Sequence, residues 1–419
     1  MKGDYSVRNL AAWLLVATAY AVAFFQRMAP QSINNELINA FNLTPTGVAV
    51  IASGYYWGYT IMQLPAGPLV DRFGLRRMIL VSTLISALGS FLFSVSINPS
   101  MAFFSRALLA CGDAFVFTSL LKLVSVGFKD NNFGLMSGLS QASGYIGGAL
   151  ASAPLAFLAS KYGLFAVFSS VSLIVLALFL GCCVFVKNNE DHKVLINVGE
   201  NIKLITTKII KHRAFWAILA VNAVQIAIIT IIAGVWGLTM ISSYFSVSPS
   251  IAGWGIIMFM AGSLAGTVVI GKLVDLVNDN SVLLSSILLI ETISLVILFP
   301  VVAQYLGFVI IIIDLFVLGF LTGGSIPSIL HAVKQIFTVS LVSTGASLCM
   351  TVAGIFTAAI LPLIGWMISM YQIAEKSSFD KDFLQIQSFN IIIVVSIIIS
   401  ILSFFISFLL RKTHINKYK

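Results

Sequence analysis

Ionisable side chains inside long apolar stretches are the residues of this sequence that are best placed to do chemistry. Arg27, Arg106, Asp113 and Asp314 each lie among hydrophobic neighbours rather than in a charged loop. A charge in an apolar membrane interior costs several kcal/mol, about 2.5–3.5 on insertion scales, so it normally faces a cavity or a partner. These four positions are therefore candidates for binding a charged ligand and for carrying a proton.

Arg106 and Asp113 are seven residues apart, which places them within about 20° of each other on one face of an α-helix. Two interpretations stay open. In the first, Arg106 is structural and Asp113 is its neutralising partner. In the second, Asp113 binds a proton, and its protonation changes the net charge of a cavity and couples proton entry to substrate movement.

Arg27 is the best candidate for a substrate ligand. Its guanidinium can form two parallel hydrogen bonds with a carboxylate or a phosphate, which a lysine cannot do. The alternative is that the helix ends near Pro30 and that Arg27 extends to the lipid headgroups. Asp314 is a second candidate for binding a proton or a cation, whereas the sequence offers no explanation for Glu291.

Polar and aromatic side chains at helical spacing accompany these charges. Tyr55, Tyr59 and Gln63 follow one stripe, which fits a cavity lining, although interfacial belts and helix packing explain such stripes equally well. Gly234 and Gly237 either let their helix bend or allow close packing. The predicted substrate-binding residues are Arg27, Gln26, Tyr55, Tyr59, Gln63, Arg106, Asn222, Gln225 and Trp236, and the predicted proton-coupling residues are Asp113 and Asp314.

The elements that must position these residues follow from the composition. Hydrophobic residues make up 59% of the 419 residues and charged residues only 9%, against about 25% charged residues in an ordinary soluble domain. At about 20 residues for each span, the apolar residues suffice for about twelve membrane-spanning helices. The composition excludes a soluble enzyme, a nucleic-acid-binding domain and a disordered chain, and it predicts an all-α polytopic membrane protein.

Apolar runs bounded by Pro, Gly, Asn and charged residues form two groups of six. The predicted spans are 9–35, 47–70, 78–97, 100–127, 133–159, 163–186, 214–243, 250–273, 281–303, 306–331, 342–370 and 388–411. Between the groups, isoleucines and lysines alternate at a spacing that indicates an amphipathic helix on the membrane surface. We therefore predict an N-terminal six-helix bundle at 1–186, a cytoplasmic linker at 187–213 and a C-terminal six-helix bundle at 214–419.

The distribution of basic residues predicts the orientation in the membrane. With the N-terminus inside, eighteen of the 24 Lys and Arg residues fall on the cytoplasmic side, and the outer loops hold only Lys161, Lys376 and Lys381. The positive-inside rule therefore places both termini in the cytoplasm. The abundance of Ile, Asn and Lys is typical of an AT-rich bacterial genome, so we expect the protein in a bacterial inner membrane. The net charge of +9 reflects topology and does not indicate a nucleic-acid partner.

One predicted cytoplasmic loop carries a pattern that is more specific than basic charge alone. Residues 67–77 read Gly-Pro-Leu-Val-Asp-Arg-Phe-Gly-Leu-Arg-Arg, in which the second glycine supports a tight turn. This spacing resembles the signature loop of the major facilitator superfamily, and Gly271-Lys272-Leu273-Val274-Asp275 resembles a degenerate second copy. The resemblance implies a gating motif made of Gly67, Asp71, Arg72, Gly74, Arg76 and Arg77.

Shorter elements resemble one branch of that superfamily, the organic anion:cation symporters. Phe24-Phe25-Gln26-Arg27 is similar to their Tyr-x-Asp-Arg element, with Gln26 in place of the acid, and residues 106–114 are similar to their R-x-L-L-G-x-G-E-A element, with Asp113 in place of Glu. The combination also resembles bacterial relatives of a lysosomal dipeptide carrier. The resemblance implies the major facilitator fold, in which two pseudo-symmetric six-helix bundles give alternating access to a midplane site.

The resemblance also implies a function. It implies a secondary active transporter, and not an enzyme, that moves a small organic anion or zwitterion (a carboxylate, an amino acid or a short peptide) together with protons. The alternative is a uniporter or a polyspecific exporter of drugs or metabolites on the same fold. A membrane-embedded enzyme or a channel is disfavoured, because we find no metal-binding His/Glu cluster, nucleophile elbow or repeated pore loop.

The expected partners follow from the same reasoning. We expect a small-molecule substrate, protons and the lipid bilayer as partners, and no nucleic acid. We expect no cofactor and no metal site, and we expect the protein to be a monomer.

Overall fold

The computed structural model describes residues 7–128, 133–187, 213–276, 280–336, 339–374 and 381–415, with most of the side chains in these ranges. The regular secondary structure of these ranges is helical. A 3-10 turn at Ala29–Ser32 follows the first helix, and a π-helical segment at Thr230–Trp236 lies between α8 and α9. The α-helices are α1 (Val7–Met28), α2 (Asn34–Phe41), α3 (Pro45–Phe73), α4 (Leu75–Ser94), α5 (Pro99–Gly127), α6 (Phe133–Leu150), α7 (Ala153–Phe185), α8 (Arg213–Ile229), α9 (Gly237–Phe245), α10 (Pro249–Leu276), α11 (Asn280–Ile297), α12 (Pro300–Leu306), α13 (Phe308–Ile336), α14 (Val339–Ala374) and α15 (Lys381–Ile415).

These helices account for the predicted membrane crossings. Within the described ranges, nine helices are long and apolar enough to cross a bilayer, or eleven if each of two bent pairs counts as one span. The predicted span at 133–159, which is not among these eleven, corresponds to α6 and the start of α7, and α7 has a break at Gly163, where φ is +78°. Glycine adopts this left-handed conformation without a steric cost. The described chain thus agrees with the prediction of twelve spans.

Two helices begin alike at the end of the bundle that is remote from both termini, which we call the far end. Thr44 precedes Pro45 at the start of α3, and the Thr44 hydroxyl accepts a hydrogen bond from the backbone N–H of Gly47. Asn98 precedes Pro99 at the start of α5, and its side-chain oxygen accepts one from Met101 N–H at 2.8 Å. A capping side chain followed by proline is a favoured helix start. These caps fix where two site-bearing helices enter the membrane.

The first predicted span, 9–35, agrees with a candidate crossing at Arg8–Ser32, but its α-helical part is shorter than predicted. Helix α1 ends at Met28, and the chain continues through the 3-10 turn into α2. Pro30 has no backbone N–H with which to extend the helix. Arg27 therefore lies in the last turn of α1 instead of two-thirds along a longer helix, and the turn that follows it is buried.

Glycines four residues apart bring helices together at equivalent places in the two halves. A Cβ at any of these glycines would clash with the backbone of the neighbouring helix, so the helices touch along their main chains. The contacts are Gly54 with Phe103 and Gly58 with Ala107 between α3 and α5, and Gly262 with Phe316 and Gly266 with Phe320 between α10 and α13. The repetition agrees with two pseudo-symmetric six-helix bundles.

Hydrogen bonds between the two halves extend from the far end into the bundle. They link Thr46 to Ser369 (2.8 Å), Asn34 to the backbone oxygen of Val235 (2.7 Å), Tyr56 to Thr230 (2.8 Å) and Tyr145 to Thr267 (3.2 Å). In the predicted orientation the far end is the outer one, so these bonds hold the outer side closed.

The predicted amphipathic helix between the halves lies outside the described residues. The last described stretch of the N-terminal half ends at Lys187, and the described chain resumes with α8 at Arg213. The division into bundles at 1–186 and 214–419 with a linker at 187–213 therefore stays a prediction.

Candidate functional site

Arg27 is surrounded by aromatic rings of the N-terminal half. Its guanidinium carbon lies 5.2 Å from the ring centre of Tyr56, 5.5 Å from that of Phe24 and 5.8 Å from that of Tyr59. Its Nε donates a hydrogen bond to the Tyr56 hydroxyl at 3.3 Å. These distances fall within the range of cation–π contacts. Within the described part of the chain, Arg27 forms no ion pair with a carboxylate, so ring faces and one phenol oxygen surround its charge.

The predicted aromatic stripe of α3 borders this site. Tyr55 and Tyr59 stack with their ring centres 6.1 Å apart, while Trp57 faces away from the bundle and is 40% exposed. Gln63 is half-buried, and its side-chain oxygen has no partner among the described residues. The spacing therefore identified two residues that lie together beside Arg27, and binding of substrate by the stripe stays a prediction.

Asp113 lies at the midpoint of α5, as predicted, and is only 3% exposed. One carboxylate oxygen accepts a hydrogen bond from the Ser86 hydroxyl at 2.7 Å, and the other accepts one from the Tyr55 hydroxyl at 3.2 Å. The amide nitrogen of Gln26 donates to Ser86 at 3.1 Å. We call Gln26, Ser86 and Asp113 the N-half triad. It joins α1, α4 and α5. The two hydrogen bonds that the Asp113 carboxylate accepts both come from hydroxyl groups.

Arg106 is fully enclosed and does not pair with Asp113. Its Nη2 donates to the backbone oxygen of Gln26 at 3.2 Å. Its guanidinium lies over the rings of Tyr55 and Phe93, at 5.7 and 5.6 Å. Tyr55 thus contacts Arg106 with its ring and Asp113 with its hydroxyl. Because Tyr55 contacts both side chains and no direct salt bridge joins them among the described residues, the interpretation of Asp113 as the neutralising partner of Arg106 stays a prediction.

The C-terminal half contains a similar arrangement. The amide nitrogen of Gln225 donates to Glu291 Oε2 at 2.7 Å, and the Ser325 hydroxyl donates to the Gln225 oxygen at 3.0 Å. We call Gln225, Glu291 and Ser325 the C-half triad. It joins α8, α11 and α13, and Glu291 is 0% exposed. The sequence singled out both Gln225 and Glu291 but gave no reason to link them.

Three other predicted residues of this half also lie in buried positions. Asn222 donates to the backbone oxygen of Cys349 at 2.9 Å, which ties α8 to α14. Trp236 is buried at the end of the π-helical segment, near the two glycines that predicted a bend. Asp314 accepts a hydrogen bond from Ser294 at 2.7 Å. A substrate-binding role for Asn222, Gln225 and Trp236 and a proton role for Asp314 stay predictions.

The predicted gating motif forms the turn between α3 and α4. Gly74 has a φ of +85° and separates the two helices, as the sequence predicts for a tight turn. Arg76 donates to the backbone oxygen of Cys183 at 2.7 Å, and Arg77 is exposed. The side chains of Asp71 and Arg72, and the surroundings of Gly67, lie outside the described residues. The described contacts hold the turn against α7.

A polar cavity of about 370 Å³ lies at the far end, where the two halves meet. The turn around Gln31 and α2 line one side of it, and the segment from Leu238 to Pro249 lines the other. None of the residues that line this cavity belongs to the Arg27 site. In the part of the chain that is described, no three His, Cys, Asp or Glu side chains come together as a metal site.

The sequence missed four hydroxyl side chains that complete these networks. Ser86 and Ser294 donate to Asp113 and Asp314. Ser325 donates to Gln225, and Thr230 bonds to Tyr56. Serine and threonine are common on apolar helices, where they often bond to their own backbone. No sequence signal distinguishes those that bond to a buried carboxylate on another helix.

Comparisons with known proteins agree with this architecture. A family model described as Major Facilitator Superfamily matches residues 16–240, which is more than half of the chain. An uncharacterized transporter of Bacillus subtilis, YybO, is 24% identical over 194 residues, 45% of each chain. A probable galactarate/D-glucarate transporter of Escherichia coli K12, GarP, is 25% identical over 188 residues, 43% of this chain and 42% of that one. The chain thus matches less than half the length of these curated relatives.

A solved structure matches almost the whole chain. It is that of a bacterial homologue of the human lysosomal transporter Spinster, in an inward-facing and unoccupied conformation. The TM-score is 0.78 at 13% identity, and the match covers 99% of both chains. At this level of identity the likeness shows the fold alone, and the fold is the predicted one of two six-helix bundles.

Proposed function

The chain belongs to the major facilitator superfamily, and from that premise we propose that it is a secondary active transporter that carries a small organic anion or zwitterion together with protons. It lies in the bacterial inner membrane with both termini in the cytoplasm and works as a monomer. The bundles at 1–186 and 214–419 alternate access to a site between them. The closed far end then corresponds to an inward-facing state.

The observation that carries this proposal is the uncompensated charge of Arg27. Its guanidinium lies among Phe24, Tyr56 and Tyr59, and no described carboxylate pairs with it. A cation within the membrane is stabilised when a counter-charge arrives. The planar fork of an arginine matches a carboxylate, and the tyrosine hydroxyls can hydrogen-bond to further substrate oxygens. An anionic group on the substrate therefore fits this site better than a cation or a purely apolar group.

The relative GarP supports an anionic substrate class. Its name refers to galactarate and D-glucarate, which are sugar diacids with two carboxylates and several hydroxyl groups. One carboxylate of such a molecule suits the guanidinium of Arg27, and its hydroxyl groups suit the surrounding phenols. We therefore take sugar diacids as the first substrates to test, with amino acids and dipeptides as the zwitterionic alternatives.

Proton coupling is assigned in this proposal to Asp113. Its hydrogen-bond donors, Ser86 and Tyr55, are neutral, so gaining or losing a proton changes the charge of the network. Tyr55 stacks on Tyr59, which borders Arg27, so this charge change occurs close to the proposed anion site. Substrate and proton would thus bind to neighbouring side chains of the same half.

Uptake into proteoliposomes tests the proposal. Labelled D-glucarate, galactarate, an amino acid and a dipeptide are each supplied with and without a pH gradient that is acid outside. We expect one of these compounds to accumulate with the gradient and to stop accumulating when a protonophore collapses it. Uptake that is equal with and without the pH gradient would indicate a uniporter and contradict symport. Uptake of an uncharged sugar with no uptake of the panel would contradict the assigned substrate class.

A further inference from the structure

Glu291 is a buried acid that the proposed transport cycle does not yet use. It points into the C-terminal bundle, because Ile290 and Ile293 on the other face of α11 are 48% and 56% exposed. Its Oε2 accepts the hydrogen bond from Gln225, and its Oε1 has no partner among the described residues. Within the described chain it forms no ion pair. A fully buried carboxyl with one open oxygen indicates a ligand that binds to that oxygen.

The C-half triad corresponds to the N-half triad in position as well as in composition. Each triad takes a glutamine from the first helix of its half, namely α1 or α8, and joins two further helices to it. Ser86 is the twelfth residue of α4, and Glu291 is the twelfth residue of α11. The two halves have exchanged the serine and the acid between these paired helices, since Asp113 and Ser325 lie on α5 and α13. A buried acid bonded to polar neutral groups is thus present twice.

The C-half triad can satisfy Glu291 in either protonation state. With an ionised carboxylate, Gln225 donates its N–H to Glu291 and accepts from Ser325, which is the observed arrangement. With a protonated carboxyl, the amide can turn over, accept the acid proton on its oxygen and donate its N–H to Ser325. Ser325 then donates to the backbone oxygen of Thr322, which already lies 2.7 Å from its hydroxyl. One amide rotation accommodates the proton.

The surroundings favour a proton over a metal cation as the ligand. Gln225 presents an N–H to the carboxylate, whereas a metal cation binds oxygen ligands. The other titratable side chains of the packed helices lie mostly toward helix ends. They are Arg213 on α8, Asp314, His331 and Lys334 on α13, Cys349 and Tyr371 on α14, and Lys381, Asp382, Arg411, Lys412 and His414 on α15. Asp314 bonds to Ser294, three residues from Glu291, and is therefore the acid most able to influence it.

A covalent and hydrogen-bonded path connects Glu291 to the Arg27 site. Gln225 lies on α8, five residues before Thr230, the first residue of the π-helical segment. Thr230 and Tyr56 share a hydrogen bond of 2.8 Å across the two halves, and Tyr56 accepts the bond from Arg27. A change at Gln225 can therefore act on the helix that closes against the substrate site.

We propose that Glu291 is a second proton-binding site, held in the C-terminal half by Gln225 and Ser325, which gains and loses its proton as the transporter cycles. Its role in coupling rests on the symport proposed above. Its ability to bind and release a proton does not rest on symport, because that ability depends on the C-half triad alone. With Asp113 in the N-terminal half and Glu291 in the C-terminal half, each half then carries a buried carboxyl that binds a proton, apart from the role predicted for Asp314.

Infrared difference spectroscopy tests the proton site without a substrate. Full-length protein in lipid is perfused with acid and then alkaline buffer, and the carbonyl bands of protonated carboxyl groups are compared among the wild type, E291Q, D113N and D314N. We expect E291Q to lose a band that D113N and D314N keep. If the difference spectra of the wild type and E291Q were superimposable, the proposal would be overturned. Loss of the Glu291 band on adding sodium at constant pH would also overturn it, in favour of a metal cation.

Two further variants keep the test independent of folding. Q225L and S325A leave Glu291 in place but remove one partner each, so they should shift the frequency of the Glu291 band without abolishing it. Thermal unfolding followed by tryptophan fluorescence shows whether E291Q retains the fold. An unchanged band in Q225L and S325A would contradict the assignment of the band to the C-half triad.

A transport measurement distinguishes failure of this proposal from failure of the proposed function. Proton uptake is measured for each D-glucarate molecule that enters proteoliposomes, and we expect a lower ratio for E291Q than for the wild type. An unchanged ratio would exclude the coupling role. If the wild type carries no D-glucarate, the substrate assignment fails, while the infrared result still decides whether Glu291 binds a proton.

Discussion

Arg27 and Arg106 carry the same charge in the same half of the protein, but their surroundings differ in what they can still bind. Arg106 is fully enclosed, with one bond to a backbone oxygen and two rings against it. Arg27 is only partly buried, and one hydroxyl and three rings surround it. Because solvent and ligand can reach only a group with exposed surface, Arg27 is the one suited to a substrate and Arg106 the one suited to positioning Tyr55.

The Arg27 role predicts a strong effect of a charge-conserving substitution. R27K should raise the KM for a transported diacid about tenfold, about 1.4 kcal/mol, because an ammonium cannot form two parallel bonds with a carboxylate. Initial uptake rates in proteoliposomes measure this change. R8K is the matched control, since Arg8 is exposed near the start of α1 and lies outside the predicted site and the gating motif. Full affinity in R27K would refute the bidentate contact.

The Asp113 role predicts a separation of two transport modes. D113N keeps a side chain of the same size but cannot gain or lose a proton, so accumulation driven by a pH gradient should be lost. Exchange of labelled for unlabelled substrate should persist, because it needs no net proton movement. Both modes are measured in the same proteoliposomes. Gradient-driven accumulation in D113N at the wild-type level would show that another group carries the coupled proton.

At the scale of helices, main-chain contact decides which elements can lie side by side. Gly262 and Gly266 of α10 touch the backbone of α13, as Gly54 and Gly58 of α3 touch that of α5. Association of helices in lipid depends on such close packing, because apolar side chains gain little by leaving lipid for one another. Asp113, on α5, and Asp314 and Ser325, on α13, are therefore held in register by glycines that carry no chemistry.

This packing predicts different outcomes for two glycines on the same helix. G266A should lower the thermal stability of the purified protein by the equivalent of about 1–3 kcal/mol, since its Cβ would clash with the backbone at Phe320. G271A should leave stability nearly unchanged, because the nearest atoms to its Cβ lie 3.8 Å away on Pro327. Unfolding temperatures in detergent compare the two. Equal losses would contradict this explanation, because only the Cβ of G266A would clash with the backbone of a neighbouring helix.

The π-helical segment shows how far sequence reasoning extends at this scale. Gly234 and Gly237 predicted either a bend or close packing, and the chain has a π-helical segment at Thr230–Trp236. The Ile232 oxygen next to Gly237 belongs to the same π-helical segment, so this contact does not decide between a bend and close packing of helices. The first span was predicted to extend to residue 35, whereas α1 ends at Met28. Pro30 has no backbone N–H with which to continue the helical hydrogen bonds.

At the scale of the whole molecule, the halves are joined at the end predicted to face outward. Thr46 and Ser369 bond to each other at 2.8 Å near that end, and Asn34 bonds across to Val235 deeper in. Alternating access requires these contacts to open when the opposite end closes. The far-end contacts therefore belong to one state of the cycle.

A cross-link across the closed end tests this view. The double variant T46C/S369C should form a disulfide, since the two side-chain oxygens are already within hydrogen-bond distance. Uptake should fall to background under oxidising conditions and return when the disulfide is reduced. Each single cysteine variant serves as a control and should transport under both conditions. Full uptake by the cross-linked protein would show that the far end does not need to open.

The sequence by itself determined the class of protein, the number of spans and the residues that are out of place in lipid. Transfer of a side chain between water and lipid is a local property, so composition, charge distribution and spacing suffice to predict it. The seven-residue spacing of Arg106 and Asp113 likewise fixed their shared helix face.

The tertiary structure decided which groups surround each buried charge. Gln26 meets Ser86, and Gln225 meets Glu291, across 60 and 66 residues of chain. Such meetings depend on the rotation and depth of packed helices, which the periodicity of any single helix leaves open.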